Sequence, residues 1–495
     1  MSSRLTRGRP ASRARRLVTT AAVAVTASLA LGAAAAGACA PFQSKAVDPT
    51  KAHNSVAAQP ASVNGTCFWG RVDGPIDGRN ILGPDTNVGY WYERFQLPAG
   101  AKVVLHGQYP HARFMSLTTY GTVDGQAGTA TGSFADTDIN PDKGSINPFR
   151  PGALRVYPKR AFTLTLSSDV DPGAANRAAN TFYVGHAGHT DGTQTVEMIL
   201  RIYRVDEGKD MAGGVPLPTP TLVLANGQQA TGQAACDAVQ SITGAANLPN
   251  AGAGLPDSTY LNLLHLPGAS PQHPATSPIT WSRFFNNAYL LAPFYQGTDL
   301  ASKLADLPTT LVPGFYPTPA NAYVIGYADR SFGPDSNGHN ILVLRGTMPT
   351  HPDTFSKDPI NTRKKTQVRY WSLCNYTGLA VSSLLKANTD CLFDQEIPVD
   401  RHGNFTIVIS LPQDRPANAS ARCGVAWMDW GTAGDGVAGG DDKLITLVMR
   451  NQLADPSFAQ GIDKVTTPGT EKHVMGDYLP SGSYTTKAQF QRAGC

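Results

Sequence analysis

Two stretches far apart in the chain show the same alternation of apolar and polar residues. Residues 113–120 read RFMSLTTY and residues 369–376 read RYWSLCNY, with Arg, an aromatic residue, Ser-Leu and Tyr at identical spacing. Alternation with a period of two, in aromatic and β-branched company, is typical of β-strands. Each stretch is therefore predicted to be a strand with two different faces. In the first stretch these faces are Arg113, Met115, Leu117 and Thr119 against Phe114, Ser116, Thr118 and Tyr120.

Four further blocks recur around both stretches in the same order. Five blocks in one order indicate two copies of one β-rich unit, near 66–206 and 320–480. The matching pairs are VVLHGQYP (103–110) with LVLRGTMP (342–349), DTDINPDKG (136–144) with DQEIPVDRHG (394–403), FTLTLS (162–167) with FTIVIS (405–410), and VEMILRIY (196–203) with LITLVMRNQL (444–453).

The predicted fold is mainly β. Short strands separated by turn residues, in a chain with 49 Gly and 37 Pro, favour two related antiparallel β-sandwiches of jelly-roll type with a partly helical insertion between them. The predicted organisation is a signal peptide (1–38), a tether or linker (39–65), copy 1 (66–206), a linker and helical region (207–319), and copy 2 with a C-terminal extension (320–495).

The insertion is predicted to hold short helices. GQAACDAVQSI and STYLNLLHL are two of them, and TWSRFFNNAYLLAPFYQG (280–297) has the strongest helical pattern. In the last, Thr280 is the predicted N-cap and Pro293 ends the helix. Its apolar stripe is predicted to pack on a sandwich, and the alternative is a lid over an apolar cavity. The stripe comprises Trp281, Phe284, Phe285, Ala288 and Leu291.

The N-terminal segment is predicted to direct export. Residues 1–38 hold six arginines, no acid and a long apolar run before small residues. The rest of a chain with 41 bases and 37 acids is therefore near neutral, which argues against a nucleic-acid partner. The residues before Cys39 suit both ordinary cleavage and a loose lipobox, so the mature protein is expected to be either freely secreted or anchored by a lipid on Cys39.

Six further cysteines are expected to be oxidised outside the cytosol. They allow three disulfides, and Cys39 is then the odd one, which suits its lipidation. The preferred pairs are Cys67–Cys236, Cys374–Cys391 and Cys423–Cys495.

Candidate chemistry is sparse. The chain has no G-x-S-x-G, phosphate-loop, H-E-x-x-H or C-x-x-C motif. Oxygen ligands at alternate positions of one loop would suit calcium, yet the favoured reading is a turn whose carboxylates cap backbone N–H groups. The candidate calcium ligands are Asp136, Asp138, Asn140 and Asp142. No other cofactor is predicted.

Two arginines recur in both copies, Arg113 with Arg369 and Arg201 with Arg450. A bidentate carboxylate or phosphate clamp is one reading; pairing with the repeated acids, a role in the fold, is the simpler one. His111 lacks a counterpart in copy 2, so it is the better functional candidate. The predicted ligand-binding cluster is His111, Arg113, Ser116 and Tyr120.

The strings GQYPHARFMSLTTY, DINPDKGSINPF and MILRIY resemble an uncharacterised family of bacterial and viral proteins. Its members carry jelly-roll-like β domains of unknown function, often several to a chain, here as two tandem copies in an exported protein of actinobacterial type. The resemblance implies the fold and an exported or envelope-associated setting. It implies no catalytic residues.

The expected function is that of an exported, lipid-anchored cell-envelope protein that binds an envelope component or a small molecule. One alternative is a secreted enzyme, such as a hydrolase, with a non-standard site between copy 1 and the helical region. The other is a structural surface protein. Whether the protein is an enzyme is left open, and the membrane is expected to be reached only through the N-terminal lipid.

Overall fold

The recurring blocks lie in strands in the computed structural model. It describes residues 67–70, 72–73, 85–121, 129–185, 194–239, 275–284, 318–354, 366–377, 387–432, 434 and 440–495. All of them belong to one compact unit, Pro41–Cys495. Across these ranges the chain is mainly β, as predicted, and none of their helices has the length and apolar character needed to span a bilayer.

Copy 1 forms two sheets in the described residues. Its strands are β1 (Val72–Asp73), β2 (Val88–Leu97), β3 (Lys102–Gln108), β4 (Ala112–Gly121), β5 (Thr129–Ala135), β6 (Ala161–Val170), β7 (Thr181–Gly185), β8 (Gln194–Val205), β9 (Thr219–Val223) and β10 (Gln229–Thr231), followed by helix α1 (Gly232–Ala238). Inner sheet 1 has the order β1-β2-β8-β4-β5, and outer sheet 1 has the order β10-β9-β3-β6-β7.

Copy 2 repeats this plan. Its strands are β11 (Trp281–Arg283), β12 (Asn321–Asp329), β13 (Asn340–Thr347), β14 (Tyr370–Thr377), β15 (Ala387–Phe393), β16 (Asn404–Ser410), β17 (Val425–Asp429), β18 (Leu444–Gln452) and β19 (Ser481–Thr486). Inner sheet 2 has the order β11-β12-β18-β14-β15, and outer sheet 2 has the order β17-β16-β13-β19. Helices α2 (Glu471–Met475) and α3 (Lys487–Arg492) flank β19, and 3₁₀ turns lie at Asp394–Glu396, Pro412–Asp414, Ala421–Cys423, Ile462–Lys464 and Gly476–Tyr478.

The pairing registers confirm the internal repeat. In inner sheet 1, Ser116 lies opposite Arg201, and in inner sheet 2, Ser372 lies opposite Arg450. Both ladders also shift register just before the closing tyrosine of the strand. The two serines are therefore equivalent positions, and the two opening strings are the same strand used twice.

A parallel strand pair in the outer sheets and a buried tryptophan in each copy repeat as well. β6 pairs with β7, and β16 with β17, and both pairs are parallel in otherwise antiparallel sheets. The indole of Trp69 donates to the carbonyl of Pro218 at 2.7 Å, and that of Trp281 donates to the carbonyl of Pro480 at 2.8 Å. Trp281 thus belongs to the second copy, although it lies within the predicted helical region.

Each sandwich has its own apolar core, and a third cluster joins the copies. The core of copy 1 lies between inner and outer sheet 1, and that of copy 2 between inner and outer sheet 2. The third cluster combines Phe114 and Tyr203 of copy 1 with Tyr370 and Phe393 of copy 2, and the rings of Tyr203 and Tyr370 are 5.6 Å apart. The inner sheets therefore face each other in the middle of four layers.

The predicted helix at 280–292 is wrong at its start. Trp281–Arg283 is strand β11, which pairs with β12 so that Trp281 lies opposite Gly326. A side chain at Gly326 would lie 2.9 Å from the indole, so the glycine makes room for the tryptophan. This tertiary fit overrides the helical pattern. Phe284 is half-buried, and Phe285, Ala288 and Leu291 lie outside the described residues.

The rest of the predicted insertion gives a mixed result. The helix predicted in GQAACDAVQSI is present as α1, while STYLNLLHL lies outside the described residues. The region 207–319 also supplies β9 and β10 to outer sheet 1. The sandwiches therefore reach further into this region than the predicted limits at 206 and 320.

Candidate functional site

The predicted ligand cluster is divided by the structure. Ser116 and Tyr120 are buried and share the face of β4 that meets inner sheet 2. Arg113 is also buried and reaches into copy 2. It does not line the core with Met115, as alternation predicted. His111 lies apart from them and is half-buried, with its Nδ1 2.9 Å from the guanidinium of Arg160. Burial, and after it the charge of Arg160, lowers the pKa of His111 to about 4.

The repeated arginines pair with the repeated acids of the other copy. Arg113 contacts Asp394 and Gln395, and it donates to the hydroxyl of Thr354 at 2.8 and 3.0 Å. Arg369 approaches both carboxylate oxygens of Asp136 at 3.4 Å. Both acid partners are fully buried. The role in the fold that the repeat favoured is therefore present, and it operates between the copies.

The middle of the inner-sheet interface holds two more buried cations. Arg201 lies 5.1 Å from the ring of Tyr90 and 5.8 Å from that of Tyr120. Its counterpart Arg450 lies 2.8 Å from Asp85 and donates to Tyr376 at 2.8 Å. Both arginines are buried between the two inner sheets, so this part of the interface joins the copies.

The candidate calcium ligands do not converge. Asp136 accepts from the N–H of Met115 at 2.9 Å, and Asp138 from the N–H of Ala135 at 3.0 Å. Asn140 accepts from Arg150 at 2.7 Å, and Asp142 accepts from the hydroxyl of Thr163 at 3.2 Å. Asp136 and Asp138 thus cap backbone N–H groups, as the turn-capping reading predicted, whereas Asn140 and Asp142 accept from side chains.

The same caps recur in copy 2. Asp394 accepts from the N–H of Trp371 at 3.0 Å, and Glu396 accepts from the N–H of Phe393 at 3.1 Å. Burial raises the pKa of Glu396 well above its usual range. The repeated acids therefore hold the turn after β5 and β15, which explains why both copies have them.

All three preferred disulfides are present: Cys67–Cys236, Cys374–Cys391 and Cys423–Cys495. Cys39 lies outside the described residues. Among the residues that are described, three metal-ligand atoms meet only at Asp85, Cys374 and Cys391. Because those two sulfurs are joined to each other, they are not available as thiolates for a metal.

An open cleft of about 510 Å³ lies at the end of outer sheet 2. β13 and β16 form its floor, the turn at Cys423–Val425 forms one wall, and the segment 472–481 forms the other. Its size is in the range of small-molecule sites. Its lining is Arg345, Gly346, Thr347, Asp400, Asn404, Phe405, Thr406, Cys423, Gly424, Val425, Lys472, Asp477, Leu479 and Ser481.

Arg345 is the charged side chain of this cleft with the fewest polar contacts. Its side chain is exposed, and no hydrogen bond or ion pair joins its guanidinium to another residue within the described ranges. Lys472, by contrast, donates to the carbonyl of Gly476 at 2.9 Å, and Asp400 accepts from the N–H groups of His402 and Asn404. The cleft therefore presents one guanidinium ready for an incoming anion.

Copy 1 has a different residue at the equivalent place. The position of Arg345 is held by His106, which lies 3.5 Å from the hydroxyl of Thr163, and that hydroxyl donates to Asp142 at 3.2 Å. One wall of the cleft, the segment 472–481, comes from the C-terminal extension, which follows the repeat. The exchange of His106 for Arg345 was visible in the sequence, but nothing in its periodicity located the walls around it.

No family model and no curated protein matches this chain. Solved structures that are similar to it include two uncharacterised proteins. One is an uncharacterised protein from Burkholderia cenocepacia, with a TM-score of 0.43 and 11% identity over 89% of this chain and 88% of that one. The other is the VPA0106 protein from Vibrio parahaemolyticus, with a TM-score of 0.35 and 12% identity over 81% and 89%. At these scores the likenesses carry no argument about fold or function.

Proposed function

We propose that this is an exported cell-envelope binding protein that holds a small acidic, hydroxylated ligand in the cleft of outer sheet 2. One observation supports this most: Arg345 stands exposed in a cleft of about 510 Å³ without a partner among the described residues. A guanidinium binds a carboxylate through two parallel hydrogen bonds, so an acid group on the ligand is the natural partner.

The rest of the cleft suggests the remainder of the ligand. Thr347, Thr406 and Ser481 line the same cleft with hydroxyl groups, which suit the hydroxyls of a sugar. Phe405 and Leu479 provide apolar surface beside them. The ligand class that fits is a sugar acid, either free or at the end of a glycan.

The wider setting belongs to the same proposal. A lipid on Cys39 and the polar stretch 40–65 would hold the sandwiches away from the membrane, where envelope glycans are within reach. Replacing Cys39 with Ser should then release the protein from membranes washed at high salt, which screens weaker electrostatic contacts, without unfolding it. Full retention of that variant at high salt would rule out the lipid on Cys39 as the sole attachment and leave the cleft proposal standing.

The alternatives have less support. The enzyme alternative placed its site between copy 1 and the helical region, and most of that region lies outside the described residues. A purely structural surface protein has no need of an unpaired guanidinium in a cleft. Neither alternative gains a specific observation from the residues described.

Binding of sugar acids would test the proposal. Saturation-transfer NMR detects weak ligands, so D-glucuronate can be compared with D-glucose, which lacks the carboxylate. Glucuronate should bind more tightly, and Arg345→Ala should weaken it at least tenfold, because a charge-assisted hydrogen bond contributes roughly 1.5–3 kcal/mol. Arg345→His installs the residue of copy 1 and should also lose affinity.

Arg422→Ala is the matched control. Arg422 is an exposed arginine next to Cys423, yet it does not line the cleft. The substitution Arg422→Ala removes a positive charge close to the cleft, and glucuronate binding should be unchanged. Equal affinity in the wild type and Arg345→Ala would contradict the proposal. Phosphate and citrate, used in the same assay, would show whether the site prefers a sugar acid to any small anion.

A further inference from the structure

A second surface of interest lies in the segment 143–161, which copy 2 lacks. Two large apolar side chains in it protrude into solvent, Leu154 with 65% and Val156 with 71% of its surface exposed. Arg155 between them points inward, is buried, and forms an ion pair with Asp206. The alternation therefore turns both apolar side chains outward on either side of an anchored arginine.

The base of this segment is firmly held. Arg150 donates to the carbonyls of Thr137 at 3.0 Å and Ile139 at 3.1 Å. The turn itself is closed by hydrogen bonds from Ala153 to Arg150 at 3.1 Å and from Tyr157 to Leu154 at 3.3 Å. Leu154 and Val156 are thus exposed by a built turn, and a partner that covers them has little backbone to order.

The segment also carries charge of one sign. Residues 143–161 hold five bases and no acid. Arg155 is neutralised by Asp206, whereas Lys143 and Lys159 are exposed. Exposed apolar side chains and exposed lysines in one segment match the boundary of an anionic bilayer, where acyl chains lie next to phosphate groups.

We propose that the tip formed by Leu154 and Val156 docks on an anionic lipid surface. The two apolar side chains enter the headgroup region, and Lys143 and Lys159 contact lipid phosphates. The contact is small, so it orients a protein that is already close to the membrane. It is independent of the cleft proposal, because the segment belongs to copy 1 and the cleft to copy 2.

Vesicle sedimentation tests the docking. The chain is used from residue 39 with Cys39→Ser, which removes the predicted lipid and retains the whole compact unit Pro41–Cys495. The protein should bind vesicles that contain phosphatidylglycerol, bind pure phosphatidylcholine much less, and dissociate as salt is raised. Leu154→Ser with Val156→Ser should lower the partition coefficient at least fivefold, and Lys143→Glu with Lys159→Glu should do the same.

Val170→Ser is the matched control, because Val170 is 51% exposed in the same copy and lies outside this segment. Its binding should equal that of the wild type. The proposal is overturned if the serine pair binds as well as the wild type, or if both vesicle types bind equally. Absence of binding to either vesicle also overturns it, and would assign the tip to a protein partner.

Discussion

In copy 1, Thr118 and Ser133 lie opposite each other on β4 and β5 and share a hydrogen bond of 3.0 Å, whereas the same two positions in copy 2 hold the Cys374–Cys391 disulfide. The ladders around them are the same. One scaffold therefore accepts either a weak or a covalent link across its strands, and the link can change without changing the fold.

Equivalent positions that face the other copy hold the same residue in both copies, whereas equivalent positions that face outward differ. Arg113 and Arg369 face the other copy and bind its acid, so both are needed to hold the inner sheets together. His106 and Arg345 face outward and differ. The repeat thus separates the residues that join the copies from those free to acquire a function in one copy.

The largest effect is expected from removing Arg113. Its contact with Asp394 has no solvent access on either side. Arg113→Ala should lower the free energy of unfolding by roughly 3–5 kcal/mol, because it leaves the buried carboxylate of Asp394 with His351, 3.4 Å away, as its remaining ion-pair partner among the described residues. Replacing both partners together, with Arg113→Met and Asp394→Leu, should recover much of the loss. Chemical unfolding of the three proteins measures this.

Arg369→Ala provides the comparison and should cost less. The guanidinium of Arg369 is 3.4 Å from the carboxylate of Asp136. Burial raises the pKa of Asp136 to about 6, although Arg369 acts to lower it. An orphaned Asp136 can therefore take up a proton near neutral pH, which removes the stranded charge. If Arg369→Ala costs as much as Arg113→Ala, the two crossed pairs are equivalent and this contrast is wrong.

Removing the Cys374–Cys391 disulfide of copy 2 should give the next largest loss of stability. Cys374→Thr with Cys391→Ser gives copy 2 the residues of copy 1. Because the disulfide closes a short segment, with a sequence separation of 17, its loss should cost about 3 kcal/mol in thermal unfolding. The reverse pair, Thr118→Cys with Ser133→Cys, should oxidise without a catalyst. Two persistent free thiols in that variant would show that the ladders are not equivalent here.

Asp136 should make stability depend on pH. Its pKa is higher in the folded protein than in the unfolded chain, so its protonated form favours folding. That contribution is complete below about pH 4 and is lost as pH rises through about 6. At about 1.4 kcal/mol per pH unit it amounts to roughly 2–3 kcal/mol.

Asp136→Asn isolates this contribution, since Asn keeps an oxygen for the N–H of Met115. The stability of the wild type relative to the variant should fall between pH 4 and pH 7.5. Urea unfolding across this range measures the difference. A difference that stays constant with pH would mean that Asp136 is ionised throughout, as in an ordinary ion pair.

The fold was largely predictable because its signals are local. Alternation marked β4 and β14, and the repeated order of the blocks predicted two copies that the registers confirm. Cysteine parity predicted three disulfides, and the preferred pairing among the possible connectivities is the one present. These features depend on residues near each other in sequence or on their equivalence between copies.

The missed features depend on contacts that no local pattern encodes. Trp281 is the first residue of an apparent helical stripe in the sequence. In the structure it lies in a strand opposite Gly326, and its indole donates to the carbonyl of Pro480. The crossed pairing of Arg113 with Asp394 requires knowing that the inner sheets face each other. The cleft around Arg345 is closed by a segment that begins more than 120 residues later, at Lys472.

The smallest expected effect concerns two equivalent glycines under aromatic rings. A Cβ at Gly107 would lie 2.4 Å from the ring of Phe162, whereas a Cβ at Gly346 would lie 3.0 Å from that of Phe405. The ring of Phe162 is held by Tyr109 at 4.9 Å, so it cannot easily move away. Gly107→Ala should therefore cost roughly 1–3 kcal/mol through overpacking.

Gly346→Ala should cost less than Gly107→Ala in the same thermal unfolding assay. Its Cβ would lie 3.0 Å from the ring of Phe405, which lines the open cleft, and 3.1 Å from the backbone oxygen of Asp477, so these neighbours need to give by only a few tenths of an ångström. Alanine also restricts the unfolded chain, which offsets part of any strain by about 0.4–1 kcal/mol. A larger loss at Gly346 than at Gly107 would mean that the floor of the cleft is the more rigid of the two places, and that the cleft does not adjust around Phe405 when a ligand binds.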